Sequence, residues 1–370
     1  MVTATRLTVV PLRPDAVLDA ADLLAAVQEV WPAGSGRVVL SVLNEGLLKG
    51  LLAVAEGGHI AIELPAFLAS DPACAELLPA LKKKGVGLLL RGCPAAPLPA
   101  GLLACFSQVV LDQADEGRAG EVALPRLLSG VLGAAEIAAG LQRGAQGVFG
   151  WPLHGAYEAP ADAPKSEIQA DLQVIVELMS RVDQAEDIER LEQTLKRDPS
   201  LAFKLLRYMN SAAFGLPVEV SSFRHAIMLL GYARLKRWLA LLLTTASKDH
   251  AMRPIMFGAL RRGLIMEELA RSMDDSEMRD EMFVCGLFSL LDHMLKQPFS
   301  KLLQSIPVPE RVRQALVEGS GPYQPYLELV RSIEHESVYD YRSAAEQLML
   351  GAEEINHGVL HALGKAHQLE

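Results

Sequence analysis

The 370-residue chain has only four cysteines, and no two of them form a Cys-x-x-Cys pair or stand beside histidines at metal-ligand spacing. That excludes a zinc knuckle or a redox motif, and Cys74, Cys93, Cys105 and Cys285 read as reduced core thiols of a cytoplasmic protein. A basic start followed by an apolar cleavable stretch is also missing, and no uninterrupted apolar run approaches the roughly 18 residues of a spanning helix. No export signal and no membrane role is therefore expected. Positive charge is not in excess either: the formal net charge of -10 argues against nonspecific attraction to nucleic acid or anionic lipid. Neither a Gly-rich phosphate loop nor a Gly-x-Ser-x-Gly elbow occurs, which leaves kinase and serine hydrolase chemistry without residues. What is present is apolar material, half of all residues, in a chain long enough for two or three domains.

The most informative stretch runs from Arg197 to Gly231. Asp198 is placed to cap a helix, and Pro199 suits the first helical position, where its missing N–H costs nothing. Leu201, Ala202, Leu205, Leu206 and Met209 recur on one face, while Lys204 and Arg207 point the other way as a candidate partner surface. Asn210 and Ser211 stop that helix by competing for backbone groups, Gly215 and Pro217 punctuate the turn, and Ser221-Ser222 start a second apolar helix that runs through Ala226 and Leu230 to Gly231. The pattern is two helices docked through a polar corner, so Asn210→Leu and Leu205→Ala should destabilise and Arg207→Ala should not.

This pattern, Asp-Pro-x-Leu-x-x-x-Leu-Leu-x-x-x-Asn-Ser followed by Ser-x-x-x-Ala-Ile-x-x-Leu-Gly, resembles the signature of the HDOD domain, the HD-related output domain of bacterial signalling proteins. The resemblance covers about the last 200 residues and implies a helical bundle. Periodicity agrees: Leu172, Ile175, Val176 and Met179 form one stripe and Leu235, Trp238, Leu239 and Leu242 another. Further helices are expected over 255–272, 279–294, 299–304, 310–318, 326–335 and 343–363.

The first 155 or so residues alternate short apolar runs with helical stretches, the pattern of βα units around a parallel sheet. Strands are expected at 6–12, 38–43, 60–64, 86–90, 108–111, 127–131 and 147–151, and helices at 15–31, 74–84 and 135–143. Seven strands favour a modified (β/α) barrel over an open doubly wound sheet, although the segment is far shorter than the roughly 250 residues of a full barrel. The expected fold class is α/β plus all-α: a degenerate, trimmed TIM-like barrel over 1–157, an Ala- and Pro-rich linker over 158–165, and a helical bundle over 166–370.

Strand by strand, the first half resembles the EAL domain, a barrel that hydrolyses cyclic di-GMP with metal ions held by carboxylates at the strand ends. The run Leu81 to Leu90 is similar to the entry that in active members leads into Asp-Asp-Phe-Gly, yet here Arg91-Gly92-Cys93-Pro94 follows. The resemblance carries the naming glutamate to about Val9 and the next asparagine to Ser41. It keeps the third-strand glutamate as Glu63, moves the Lys-Ile-Asp lysine onto Val110 while keeping Asp112, and puts Ser129 and Phe149-Gly150 where Glu and Gln-Gly would stand. One carboxylate cannot hold two metals, and the residual Glu63 and Asp112 read as solvated or salt-bridged strand-end groups.

Three other constellations are weaker. Gly286-Leu287-Phe288-Ser289-Leu290 is similar to the Gly-Leu-x-His-Asp segment of catalytic HD relatives, with Ser289 and Leu290 in place of the metal-binding pair. The adjacent Asp292 and His293 diverge by about 100° on a helix and read as a surface pair. His357 and His361 have zinc-ligand spacing but no intervening catalytic Glu, and read as a solvated terminal helix. Lys82-Lys83-Lys84 and Arg261-Arg262 read as solvated faces, whereas Arg91, near a barrel mouth, could greet an anion. The combined expectation is a catalytically inactive, cytoplasmic EAL-plus-HDOD regulator without cofactor or metal, acting by binding other signalling proteins. The alternative is a non-hydrolysing cyclic di-GMP effector, and an active phosphodiesterase ranks last.

Overall fold

The computed structural model describes residues 4–11, 19–31, 36–131, 133–150, 157, 170–195, 223–245, 252–273 and 275–368. Internal contacts divide the chain into two units, one of residues 2–154 with 334–336, the other of 155–333 and 337–370. The expected linker 158–165 and the stretch from Asp198 to Ser222, with Pro199, Lys204, Leu205, Leu206, Arg207, Asn210 and Ser211, lie outside the described residues.

The first unit is a mixed α/β sheet structure. Its strands are β1 (Ala4–Val9), β2 (Arg37–Val42), β3 (Ile60–Pro65), β4 (Gly87–Arg91), β5 (Gln108–Asp112), β6 (Arg126–Ser129) and β7 (Gly147–Val148). All neighbours pair in parallel and in sequence order, β1 to β7. Strands covered on both faces lose the polar alternation of a half-exposed sheet, and Arg37–Val42 and Ile60–Pro65 are buried almost residue for residue. The sheet is curled: the Arg6 guanidinium on β1 donates to Ser129 Oγ on β6 at 3.2 Å, although these strands would lie about 24 Å apart in a flat sheet at roughly 4.8 Å per strand. Among the described residues no ladder joins β7 back to β1, so the sheet is an open half-barrel.

Helices α1 (Ala20–Val30), α2 (Glu45–Val54), α3 (Ala66–Ala69), α4 (Pro72–Lys83), α5 (Ala100–Leu103) and α6 (Ala134–Gln142) alternate with the strands. Their starts follow local chemistry. The Asp19 carboxylate accepts from the amides of Ala21 and Asp22, Asn44 caps α2 through the Leu47 amide, and Asp71 caps α4 beside Pro72. The sequence pattern missed α2, which buries Leu47, Leu48, Leu51 and Leu52 behind the Asn44 cap.

The second unit is helical: α7 (Ala170–Asp183), α8 (Ile188–Leu195), α9 (Phe223–Thr245), α10 (Arg253–Leu269), α11 (Ser276–Phe288), α12 (Leu291–Leu295), α13 (Phe299–Ser305), α14 (Glu310–Arg313), a π-turn over Gln314–Glu318, α15 (Gln324–Glu334), α16 (Val338–Leu348) and α17 (Ala352–Gln368). The α9 stripe is buried as its spacing predicts, whereas on α7 Leu178 is buried and Val176 only half so. Two expected helices are split. The one over 279–294 breaks at Ser289-Leu290, and the one over 343–363 breaks at Met349, left-handed at φ 55°, before Gly351. Helices α10 and α11 touch backbone to backbone: a Cβ on Gly286 would stand 2.8 Å from the Gly263 Cα and 2.6 Å from the Arg262 carbonyl oxygen. No helix among the described residues is long and apolar enough to cross a membrane.

Candidate functional site

Side chains alternate along a strand, so β1 turns Ala4 and Arg6 to the concave face, β2 turns Val39 and Ser41, β3 Ala61 and Glu63, β4 Leu89 and Arg91, β5 Val110 and Asp112, and β6 Leu127 and Ser129. The lower layer is dry: Val39, Ala61, Leu89 and Val110 cluster, with Ala4, Leu127 and Phe149 packed against them. Above it, at the C-terminal ends of the strands where parallel barrels place their sites, lies a polar layer centred on Glu63.

The Glu63 side chain is fully buried. Arg6 grips it with two parallel bonds, Nε to Oε2 at 2.8 Å and Nη2 to Oε1 at 3.1 Å, and its remaining donors reach Ser41 Oγ at 3.3 Å and Ser129 Oγ at 3.2 Å. The guanidinium also lies 5.8 Å from the Phe149 ring centroid. Arg91 adds a second positive group, with Nε 3.4 Å from Glu63 Oε1 and Nη1 donating to Ser41 Oγ at 3.3 Å. Burial pushes the Glu63 carboxyl above its ordinary value, against the pull of Arg6 and Arg91. The carboxylate is therefore not a solvated strand-end group, one of its two expected states. It is the hub of an internal ion-pair network.

Arg6 was not singled out in the sequence. Val9, the position expected to match the naming glutamate of the EAL motif, alternates to the convex face, and the β1 residue level with Ser41 is Thr8. The available signal was a lone charged residue, an arginine, on the Ala4-Arg6-Thr8 face of a strand, opposite a lone glutamate two strands away. Asp112 ends β5, is exposed, and is paired in register with Ser129. It lines a cavity of about 720 Å³ together with Ser41, Glu63, Arg91, Asp115 and Arg118, and Phe67 stands exposed on the same wall. Arg118 is itself bonded to Glu121 and to the Pro94 carbonyl.

These residues do not fit the metal pair that an EAL-type barrel uses. The buried carboxylate is already matched by a guanidinium fork, the other strand-end positions carry Ser41, Arg91 and Ser129 with the exposed Asp112 on β5, and a divalent ion at Glu63 would have to displace Arg6. Among the described residues no three His, Cys, Asp or Glu side chains converge on a common point.

In the helical unit, Leu230 is buried, Ala226 lies on α9, and Gly231 at φ 71° and ψ 172° breaks helical geometry inside α9. Ser289, at the position of the HD histidine, is buried; it donates to the Gly286 carbonyl at 2.6 Å and accepts from Arg262 Nη1 at 3.0 Å. Asp292 is not half of a surface pair. It is 1% exposed, and its carboxylate accepts the amides of Tyr157 at 2.8 Å and His293 at 2.9 Å, because the chain restarts as α12 at Leu291 and turns Asp292 inward. The terminal helix is not merely solvated either: Ile355, Ala362 and Ala366 are fully buried, although His357 stays exposed. All four cysteines are free, and burial pushes the Cys285 thiol up to about 12.

Comparison with known proteins finds likeness over part of the chain. Residues 170–303 match the HDOD domain. The chain is 32% identical over 186 residues to the uncharacterized protein YuxH of Bacillus subtilis (strain 168), a match covering 50% of this chain and 45% of YuxH. It is 28% identical over 162 residues to the protein named cyclic di-GMP phosphodiesterase CdgJ of Vibrio cholerae, covering 44% of this chain and 38% of CdgJ. The matches thus span less than half the length of these curated relatives. No solved structure matches the chain significantly. The break at Gly231, the Gly263–Gly286 contact and the buried Ser289 all fall within residues 170–303, the segment that matches the HDOD domain.

Proposed function

We propose that this chain is a catalytically silent signalling regulator in which a degenerate EAL-type barrel accompanies the HDOD domain, and that it acts by binding other signalling proteins. The observation that carries the reading is the Arg6–Glu63 pair. A side chain that evolved chemistry would offer to a metal is instead neutralised by a guanidinium from the first strand. Similarity to CdgJ, by its name a cyclic di-GMP phosphodiesterase, supports the signalling context. Hydrolysis of a phosphodiester needs several hard oxygen ligands around its ions, and the strand ends here supply Glu63 and the exposed Asp112. The test is an assay of the purified chain with cyclic di-GMP and Mg²⁺ or Mn²⁺. No linear product above a blank is expected, and turnover abolished by Glu63→Ala would overturn the reading.

A second reading, a non-hydrolysing cyclic di-GMP effector, is favoured by one feature, the cavity of about 720 Å³ with Arg91 and Arg118 in its wall. Calorimetry separates the two. The scaffold reading expects no heat at micromolar nucleotide, whereas binding that Arg91→Glu destroys would establish the effector.

A further inference from the structure

The helical unit holds a second cavity, of about 200 Å³, which does not depend on the reading of the barrel. It opens where the end of α10, the beginning of α11 and the helix α17 come together, and it is lined by Glu267, Glu268, Arg271, Arg279, His361 and Lys365. Helix α17 lies beyond the segment that matches the HDOD domain, so one wall comes from outside that match.

Its charges do not balance. Glu267 has both oxygens occupied by Arg237, at 2.7 and 2.6 Å, so it has little left to offer the cavity. Glu268 is the one remaining carboxylate of the lining, and its side chain is almost wholly buried. Its Oε1 accepts from Lys365 Nζ at 2.7 Å and stands 2.8 Å from His361 Nδ1, an ion-pair distance without hydrogen-bond alignment; its Oε2 accepts from Arg271 at 3.3 Å. Burial pushes the Glu268 carboxyl up, but Lys365 and His361 outweigh it and hold the group below its ordinary value, so it is ionised and fully engaged. Arg279 is left over. Its Nε is shut off from solvent, has no hydrogen-bond partner, and no carboxylate among the described residues pairs with the side chain. Three permanent cations, Arg271, Arg279 and Lys365, thus face one carboxylate, with His361 beside them.

A buried guanidinium N–H without an acceptor is costly, and native structures supply the acceptor from protein, water or ligand. We propose that this cavity binds a compact tetrahedral oxyanion, inorganic phosphate or a small phosphomonoester, with Arg279 as its principal donor. Arg271 and Lys365 are partly exposed, which gives the anion an entrance, and each can turn a donor toward it without abandoning Glu268. Guanidinium forks match phosphoryl oxygens in pairs, and several donors around one small space suit a tetrahedral ligand better than a planar carboxylate. The volume is below that of ordinary drug-sized pockets, which excludes a dinucleotide.

The test uses the full chain in chloride buffer, titrated calorimetrically with inorganic phosphate, glycerol phosphate and acetate. One saturable site for a phosphoryl ligand is expected at millimolar concentration or tighter, with acetate weaker. The Arg279→Gln variant should bind at least about tenfold more weakly, the factor carried by one charge-assisted hydrogen bond. Its melting temperature without phosphate should stay at the wild-type value, because Arg279 has no ion pair among the described residues. The exposed Arg271→Gln gives a second variant, with a smaller loss expected. Tighter binding of glycerol phosphate than of phosphate would mark a phosphomonoester as the occupant, and the reverse would mark the free ion. No saturable heat from either phosphoryl ligand, acetate binding as tightly as phosphate, or undiminished binding by folded Arg279→Gln would each overturn the proposal.

Discussion

Arg6→Ala is the sharpest perturbation of the barrel unit, because it removes one half of a buried, bidentate ion pair and leaves the other half in place. Glu63 has no side-chain exposure and Arg6 has 9%, so neither charge is repaid by water. Breaking a buried pair from one side costs about 3 to 5 kcal/mol, most of it the penalty of an uncompensated charge. Arg91, 32% exposed and 3.4 Å from Glu63, retains part of the neutralisation, which puts the expected loss at the lower end, about 3 kcal/mol. Ser41 and Ser129 lose a donor each but remain able to rotate their hydroxyls toward Glu63 or one another.

The chain divides into two units, and a single melting curve would not say which of them lost stability. Hydrogen exchange followed by mass spectrometry reads β1 to β3 directly, and a loss of about 3 kcal/mol lowers the protection of their slowest amides by roughly a hundredfold. Arg6→Ala combined with Glu63→Leu should recover much of that protection, since the double variant buries no orphan charge. Protection within about 0.5 kcal/mol of wild type in Arg6→Ala, or simple addition of the two single effects, would refute the argument.

Gly231→Ala should cost the HDOD domain roughly 1 to 3 kcal/mol, because φ 71° with ψ 172° is open essentially to glycine alone and no neighbouring atom crowds the site; an unchanged denaturation midpoint would contradict this. Glu268 and Glu63 should give opposite pH slopes. Glu268 is held below its ordinary value, so its contribution is complete above about pH 4.3 and is lost as pH falls through its folded pKa, and Glu268→Gln should flatten the acid limb of helical-unit stability. Glu63 is held above its ordinary value, so its contribution is complete below about pH 4.3 and declines as pH rises through the folded pKa. Urea denaturation of wild type and Glu63→Gln across that range should show the decline in the former only.

The seven strands were legible because parallel strands covered on both faces write themselves as apolar runs, and their expected limits fall within a few residues of those observed. Helix α2 was not, since Leu47 to Leu52 follows β2 so closely that only the Asn44 cap separates the two apolar runs. The breaks at Ser289-Leu290 and Met349 also escaped a periodicity argument, because a left-handed residue or a restarted turn leaves the apolar spacing nearly intact. Glu63 and Arg91 could be picked out by position on their strands. Arg6 could not, since its pairing with residues 57 and 123 positions away is set by the curl of the sheet and not by anything local. Glu268 is the same case in the helical unit, with Lys365 97 residues distant.

The order of the strands has a consequence for how the barrel unit comes to be. Each strand pairs with the one made just before it, so the sheet can be laid down from β1 onward as the chain leaves the ribosome, with every ladder closing over a single crossover connection. The bond from Arg6 to Ser129 breaks that rule, because it waits for the sixth strand. It belongs on the native side of the folding barrier, where its loss speeds unfolding and leaves the folding rate nearly untouched. The guanidinium that neutralises Glu63 is thus also a late fastening of the sheet, expected to set how long the unit survives once made more than how fast it is made.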